Sequence, residues 1–161
     1  MKISRKAAFR TTTMVVAAAA AMTFSMGTAS ATSWEVDHAV QTWKSYNETA
    51  DGWWMQMAGP TGNGPAMISF NSDGDFWYLI DTKADGKSAA VKWYNYRNGQ
   101  LYRNGTCIQS HGAGTSGICN NDYYEDSTIW ASACLYDGET DKYSDCNLLG
   151  FTFRVSDGKT T

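Results

Sequence analysis

The chain has 161 residues, 43% hydrophobic and 14% aromatic, with 13 Lys and Arg against 16 Asp and Glu. Four of the basic residues, Lys2, Arg5, Lys6 and Arg10, sit in an N-terminal leader, and without it the net charge falls to about −7. An acidic surface with no basic cluster excludes nucleic acid, whose phosphates dominate such binding, and disfavours anionic membranes on the same ground. The acids are dispersed, as on a solvated surface that keeps an exported protein soluble.

The leader couples its basic start to an uncharged run from Met14 to Phe24 and closes on Ala29-Ser30-Ala31. That is the order of a Sec-type signal peptide cleaved after Ala31. The apolar run falls well short of the roughly 20 residues that span a bilayer. Arg5-Lys6 is not a twin arginine, so the Tat route is disfavoured. Residues 1–31 are therefore expected to be a cleavable signal peptide and 32–161 a single secreted, extracellular domain, with no membrane association once the leader is gone. At about 130 residues that domain can bury roughly two-thirds of its unfolded surface.

Along the mature chain, short apolar segments rich in Trp, Tyr, Phe, Val and Ile alternate with turn residues, the signature of strands. Trp34 to Tyr46 reads as one bulged strand, since Trp34, Val36, His38 and Val40 alternate before the phase is lost near Trp43. Trp53 to Met57 and Ala66 to Phe70 follow, separated by a loop holding Pro60 and Pro65. After the turn Asn71-Ser72-Asp73-Gly74, the segment Asp75 to Asp81 is apolar on both faces and suits a central strand.

Ser88 to Tyr96 and Leu101 to Ile108 flank Asn98-Gly99, a strong hairpin signal because a type I′ turn needs positive φ at both central residues. Tyr-Arg-Asn-Gly occurs at both Tyr96–Gly99 and Tyr102–Gly105, so either Asn-Gly could be the turn. Thr128 to Tyr136 is a further strand, ended by a turn over Asp137 to Lys142. In the last, Leu149, Phe151, Phe153 and Val155 are expected on one face. This spacing predicts an all-β fold, an antiparallel β-sandwich or small barrel of about eight short strands.

Four cysteines remain after cleavage, which in an exported chain points to disulfides, and four allow three connectivities. Cys107 and Cys119 are as far apart as Cys134 and Cys146, and both intervals are rich in turn residues, which favours two local loops. No C-x₂₋₄-C knuckle suggests zinc.

The segments Asp81-Thr82-Lys83-Ala84-Asp85-Gly86-Lys87-Ser88 and Asn104-Gly105-Thr106-Cys107, with the later Cys119, resemble small secreted β-rich proteins of actinomycetes that have no assigned function. The resemblance implies an exported β-domain and carries no chemistry.

Catalytic signals are sparse. Only His38 and His111 could act as an imidazole base; Ser110-His111 are adjacent in sequence, and no G-x-S-x-G elbow exists. Glu35, Glu48, Glu125 and Glu139 are candidate acids for a glycosidase, yet spacing cannot set two of them across a cleft. Asn71 to Asp75 and Asp137 to Asp141 gather oxygen atoms suited to calcium but depart from EF-hand spacing, and plain turns are expected. No metal or cofactor is expected.

The aromatic content has two readings, core packing on two-sided strands, which is favoured, and ligand binding. Trp53-Trp54, Trp77-Tyr78, Trp93-Tyr94, Tyr102 and Tyr123-Tyr124 offer rigid faces, and alternation across a sheet should turn one of each adjacent pair outward. Trp53, Trp54, Trp77, Trp93 and Tyr94 are the candidate ligand contacts. The reading is a non-enzymatic binding domain, with glycan recognition as its sharpest form, a secreted protease inhibitor or other protein-interaction module as the next, and a small extracellular hydrolase as the alternative from another class.

Overall fold

The computed structural model describes residues 32–43, 53–59 and 64–161. The expected leader with its expected cleavage site, the tail of the first expected strand beyond Trp43 and most of the Pro60 loop lie outside them. The strands, in chain order, are β1 (Trp34–His38), β2 (Val40–Thr42), β3 (Trp53–Met57), β4 (Ala66–Asn71), β5 (Phe76–Asp81), β6 (Ser88–Arg97), β7 (Gln100–Gln109), β8 (Ser116–Asn120), β9 (Thr128–Asp137), β10 (Lys142–Ser144) and β11 (Phe151–Arg154).

They form two sheets. The six-stranded one runs β1-β7-β6-β9-β10, with β11 also on β9, and the five-stranded one runs β2-β8-β5-β4-β3. β1 on β7 is parallel and every other ladder is antiparallel. The two ladders remain separate, so the all-β fold is a sandwich and not a closed barrel.

β5 is the central strand its two apolar faces predict, between β4 and β8. The β6–β7 hairpin turns at Asn98-Gly99, with φ of 52° and 73°, and Asn104-Gly105 lies within β7. A bulge between Asn95 and Tyr96 adjusts the register toward the turn.

The core lies between the sheets. Val91, Trp93, Ile129, Ala131 and Phe153 of the larger sheet meet Ile68, Phe70, Trp77 and Leu79 of the smaller one. Phe70 is the aromatic hub, 5.0 Å from Trp77 and 4.9 Å from Phe153 between ring centres. Burying each such side chain is worth about 1.5–3 kcal/mol.

The first expected strand divides at Ala39: β1 joins the larger sheet and β2 the smaller. Ala39 is buried, its N–H donates to the Ile108 carbonyl at 2.8 Å, and Gly117 leaves it room, since a Cβ there would lie 2.8 Å from the Ala39 methyl. The next pair of strands makes the same crossing, from β7 to β8. Cys107–Cys119 therefore ties the sheets together, and the interval expected as a loop contains strand β8.

Cys134–Cys146 is the second bridge, so both expected pairings are present. It holds the segment after β10 against the outer face of β9, where the Asn147 carbonyl accepts from Ser132 Oγ at 2.8 Å. The expected apolar face of the last strand is corrected: Phe153 and Val155 are buried, but Leu149 is 83% and Phe151 38% exposed. Gly150, at φ 55°, turns the chain between Leu149 and the strand and so breaks the alternation. Among the described residues no helix is long and apolar enough to cross a membrane.

Candidate binding site

One end of the sandwich is closed by residues 121–127, which carry the chain from β8 in one sheet to β9 in the other. Beside them β7 presents Tyr102 and Arg103. Together Tyr102, Arg103, Asp122, Tyr123 and Tyr124 line a cleft of about 390 Å³.

Its walls are two tyrosines. Tyr102 and Tyr124 are 42% and 46% exposed and meet edge to face, with ring centres 5.4 Å apart. A side-chain hydrogen bond between them raises the Tyr102 phenol above its ordinary range. The Arg97 guanidinium stacks on Tyr124, 3.9 Å from the ring centre. Arg97 is held there by Asp126, which accepts from Nε at 3.1 Å and Nη2 at 3.0 Å and keeps the guanidinium firmly protonated.

Its floor is built on Arg103. This side chain makes a bidentate pair with Glu35 of β1, at 2.9 and 2.8 Å, and donates through Nη1 to the Asn121 carbonyl at 2.8 Å. It also stacks 5.3 Å from the Tyr123 ring and 5.6 Å from that of Trp93. Glu35 is thus committed to a structural ion pair.

Adjacent aromatics divide between core and surface as alternation predicts at two pairs, Tyr123 inward with Tyr124 outward and Trp93 inward with Tyr94 outward. The third pair departs from the pattern. Trp77 and Tyr78 are both buried in the central strand β5.

Of the candidate contacts, Trp77 and Trp93 are fully buried and cannot touch a surface ligand, which corrects their expected place. They are the packing behind the cleft: Trp77 Nε1 donates to the Tyr123 hydroxyl at 3.0 Å, and Trp93 meets the Tyr123 ring edge to face. Tyr94 lies on the outer face of the larger sheet, in a cross-strand row between Trp34 at 5.7 Å and Trp130 at 5.6 Å. Trp53 and Trp54 are on β3, an edge of the smaller sheet, and their side chains lie outside the described residues. The structure therefore does not bring the five together. Tyr102 and Tyr124 belong to the aromatic set visible in the sequence, whereas Arg97 and Asp126 carry no local signal and are paired only by the approach of the hairpin to the β8–β9 connection.

The turns with clustered oxygens use them on their own backbone. Asn71 Oδ1 accepts from the Asp73 N–H and Asp137 Oδ1 from that of Glu139. Among the described residues, no group of three or more His, Cys, Asp or Glu is arranged to hold a metal ion. His111 Nε2 contacts the Ala39 carbonyl at 2.7 Å and braces the crossing of the N-terminal strands. Compared with models of known protein families, with curated proteins and with solved structures, the chain has no match.

Proposed function

We propose that the mature domain is an exported, non-enzymatic module that binds glycan in the cleft at the end of the sandwich. The observation that carries this reading is the exposed Tyr102–Tyr124 pair with Arg97 and Asp126 locked beside it. A sugar ring presents an apolar face of C–H groups and a rim of hydroxyls. Rigid tyrosines suit the face, and the Asp122 and Asp126 carboxylates with the Arg97 guanidinium suit the rim. Because β7, the hairpin arginine and the closing segment are already tied to one another, little ordering entropy is lost on binding. The acidic surface, the leader and the two disulfides support export.

The test is retention of the purified mature domain on immobilised polysaccharides, read against a Tyr102→Ala, Tyr124→Ala double variant. The wild type should be retained and the double variant should elute in the void. Equal retention of both would rule the cleft out.

A protein-interaction reading has one observation in its favour. Leu148 and Leu149 are both largely exposed, on a segment pinned by Cys134–Cys146. Stoichiometric inhibition of a protease, lost in Leu149→Asp, would favour it over the glycan reading.

A further inference from the structure

Beneath the cleft, where the β5–β8 ladder runs out, two buried side chains face a shortage of hydrogen-bond donors. Asp75 is 7% exposed and Asn121 6%, and the Asn121 N–H donates to the Asp75 carbonyl at 3.3 Å. Asp75 Oδ2 accepts from the Tyr123 N–H at 3.0 Å, and Asn121 Nδ2 donates to Asp37 Oδ2 at 2.7 Å. The remaining oxygen of each, Asp75 Oδ1 and Asn121 Oδ1, is buried with no donor. Turning the Asn121 amide over does not help, since its oxygen would then oppose the Asp37 carboxylate. Buried polar atoms are rarely left so, and the Asn121–Asp75 backbone hydrogen bond sets the two residues opposite one another.

We propose that Asp75 and Asn121 form a proton-binding site: Asp75 takes up a proton on Oδ1 and donates it to Asn121 Oδ1, which fastens residues 121–127 to the end of β5 beneath the cleft. The surroundings favour uptake. Burial pushes the Asp75 carboxyl up to about 6, against the lowering effect of the Tyr123 N–H, and the Glu125 and Asp122 carboxylates raise it further. From β1, Asp37 approaches through Asn121. The nearest cation on β7, Arg103, is committed to Glu35 and to the carbonyls of Asn121 and Asp122. The phenol of Tyr123 is pushed well above its ordinary range by burial and stays neutral.

The sign follows from the direction of the shift. A carboxyl that holds its proton more tightly folded than unfolded gives stability that is complete below about pH 4 and is lost as the pH rises through about 6. Acid should therefore tighten the segment carrying Tyr123 and Tyr124. That it also strengthens ligand binding rests on the cleft being the glycan site; the proton uptake itself does not.

The wild-type mature domain should be titrated by carboxyl ¹³C NMR from about pH 8 to about pH 4. Asp75 should titrate near 6, with the Asn121 side-chain amide moving in the same transition and the 121–127 amides gaining exchange protection at the acid end. Asp75→Asn places a permanent donor on this atom. Its melting temperature should exceed the wild type's at about pH 7.5 and match it near pH 4.

Titration of Asp75 in the ordinary carboxylate range, an Asn121 amide that does not move, or a folded Asp75→Asn no more stable than wild type at the higher pH would each overturn the proposal. If Asp75→Asn does not fold, the wild-type titration decides. A domain that shows the titration but binds no polysaccharide at either pH removes the glycan reading and leaves the proton site standing.

Discussion

The indole N–H of Trp77 in β5 and the hydroxyl of Tyr123 in the segment between β8 and β9 meet at 3.0 Å inside the core. One hydrogen bond thus links the central strand of the smaller sheet to the floor of the cleft. Tyr123→Phe removes the acceptor while keeping the ring on Trp93. Denaturant unfolding should show a loss of about 1–3 kcal/mol, the usual cost of losing a buried hydrogen bond, with a change in tryptophan emission.

Single variants at the cleft should separate its two walls. Tyr124→Ala deletes one face and also the ring on which Arg97 stacks, whereas Tyr102→Ala deletes one face alone. Each should weaken polysaccharide binding by at least about tenfold, the scale of an aromatic contact of 1.4 kcal/mol, with the larger effect at Tyr124. Affinity electrophoresis checks this, and unchanged melting temperatures would show that the fold is intact.

Replacing Cys107 and Cys119 together by Ala should lower stability by roughly 3 kcal/mol through loop-closure entropy. Because that bridge joins β7 to β8 across the sheets, the loss should extend to hydrogen exchange in both sheets. Replacing Cys134 and Cys146 should concentrate its effect on the segment Asp145–Gly150.

Gly150 lies against the indole of Trp130, where a Cβ would come within 2.4 Å of Cε2, and its φ is 55°. Gly150→Ala meets both a clash and a disfavoured backbone angle. About 1–3 kcal/mol should be lost, with a shift in the environment of Trp130 visible by fluorescence.

Arg103→Lys keeps the charge but not the fork. It gives up the bidentate contact with Glu35 and the reach to the Asn121 carbonyl, and should loosen residues 121–127. Faster amide exchange in that segment, with the rest of the domain little changed, is the expected result.

Much of the fold was readable because its signals are local. Asn98-Gly99 can adopt positive φ at both positions, so the hairpin needs no distant partner to be recognised. Equal cysteine intervals favoured the pairings that occur, and the alternation in Trp34 to Val40 and the apolar run of Phe76 to Ile80 marked strands. The split at Ala39 was hidden, since alternation continues through it and the change of sheet depends on β7 and β8 lying alongside. β8 was hidden for a related reason: Ser116–Asn120 is short and polar-rich, and pairing with β5 and β2 makes it a strand.

Local sequence specifies a β-rich acidic domain and favours two local cysteine pairs, because strand period, turn chemistry and charge reside in neighbouring residues. Which aromatics meet solvent depends on how the two sheets pack. Trp77 and Trp93 are candidates both for core packing and for ligand contact in the chain, and each faces the opposite sheet. Tyr102 and Tyr124 become a cleft only where a hairpin strand and a sheet-to-sheet connection converge. Period tells which residues share a face, whereas the direction in which that face points is set by the sheet packed against it.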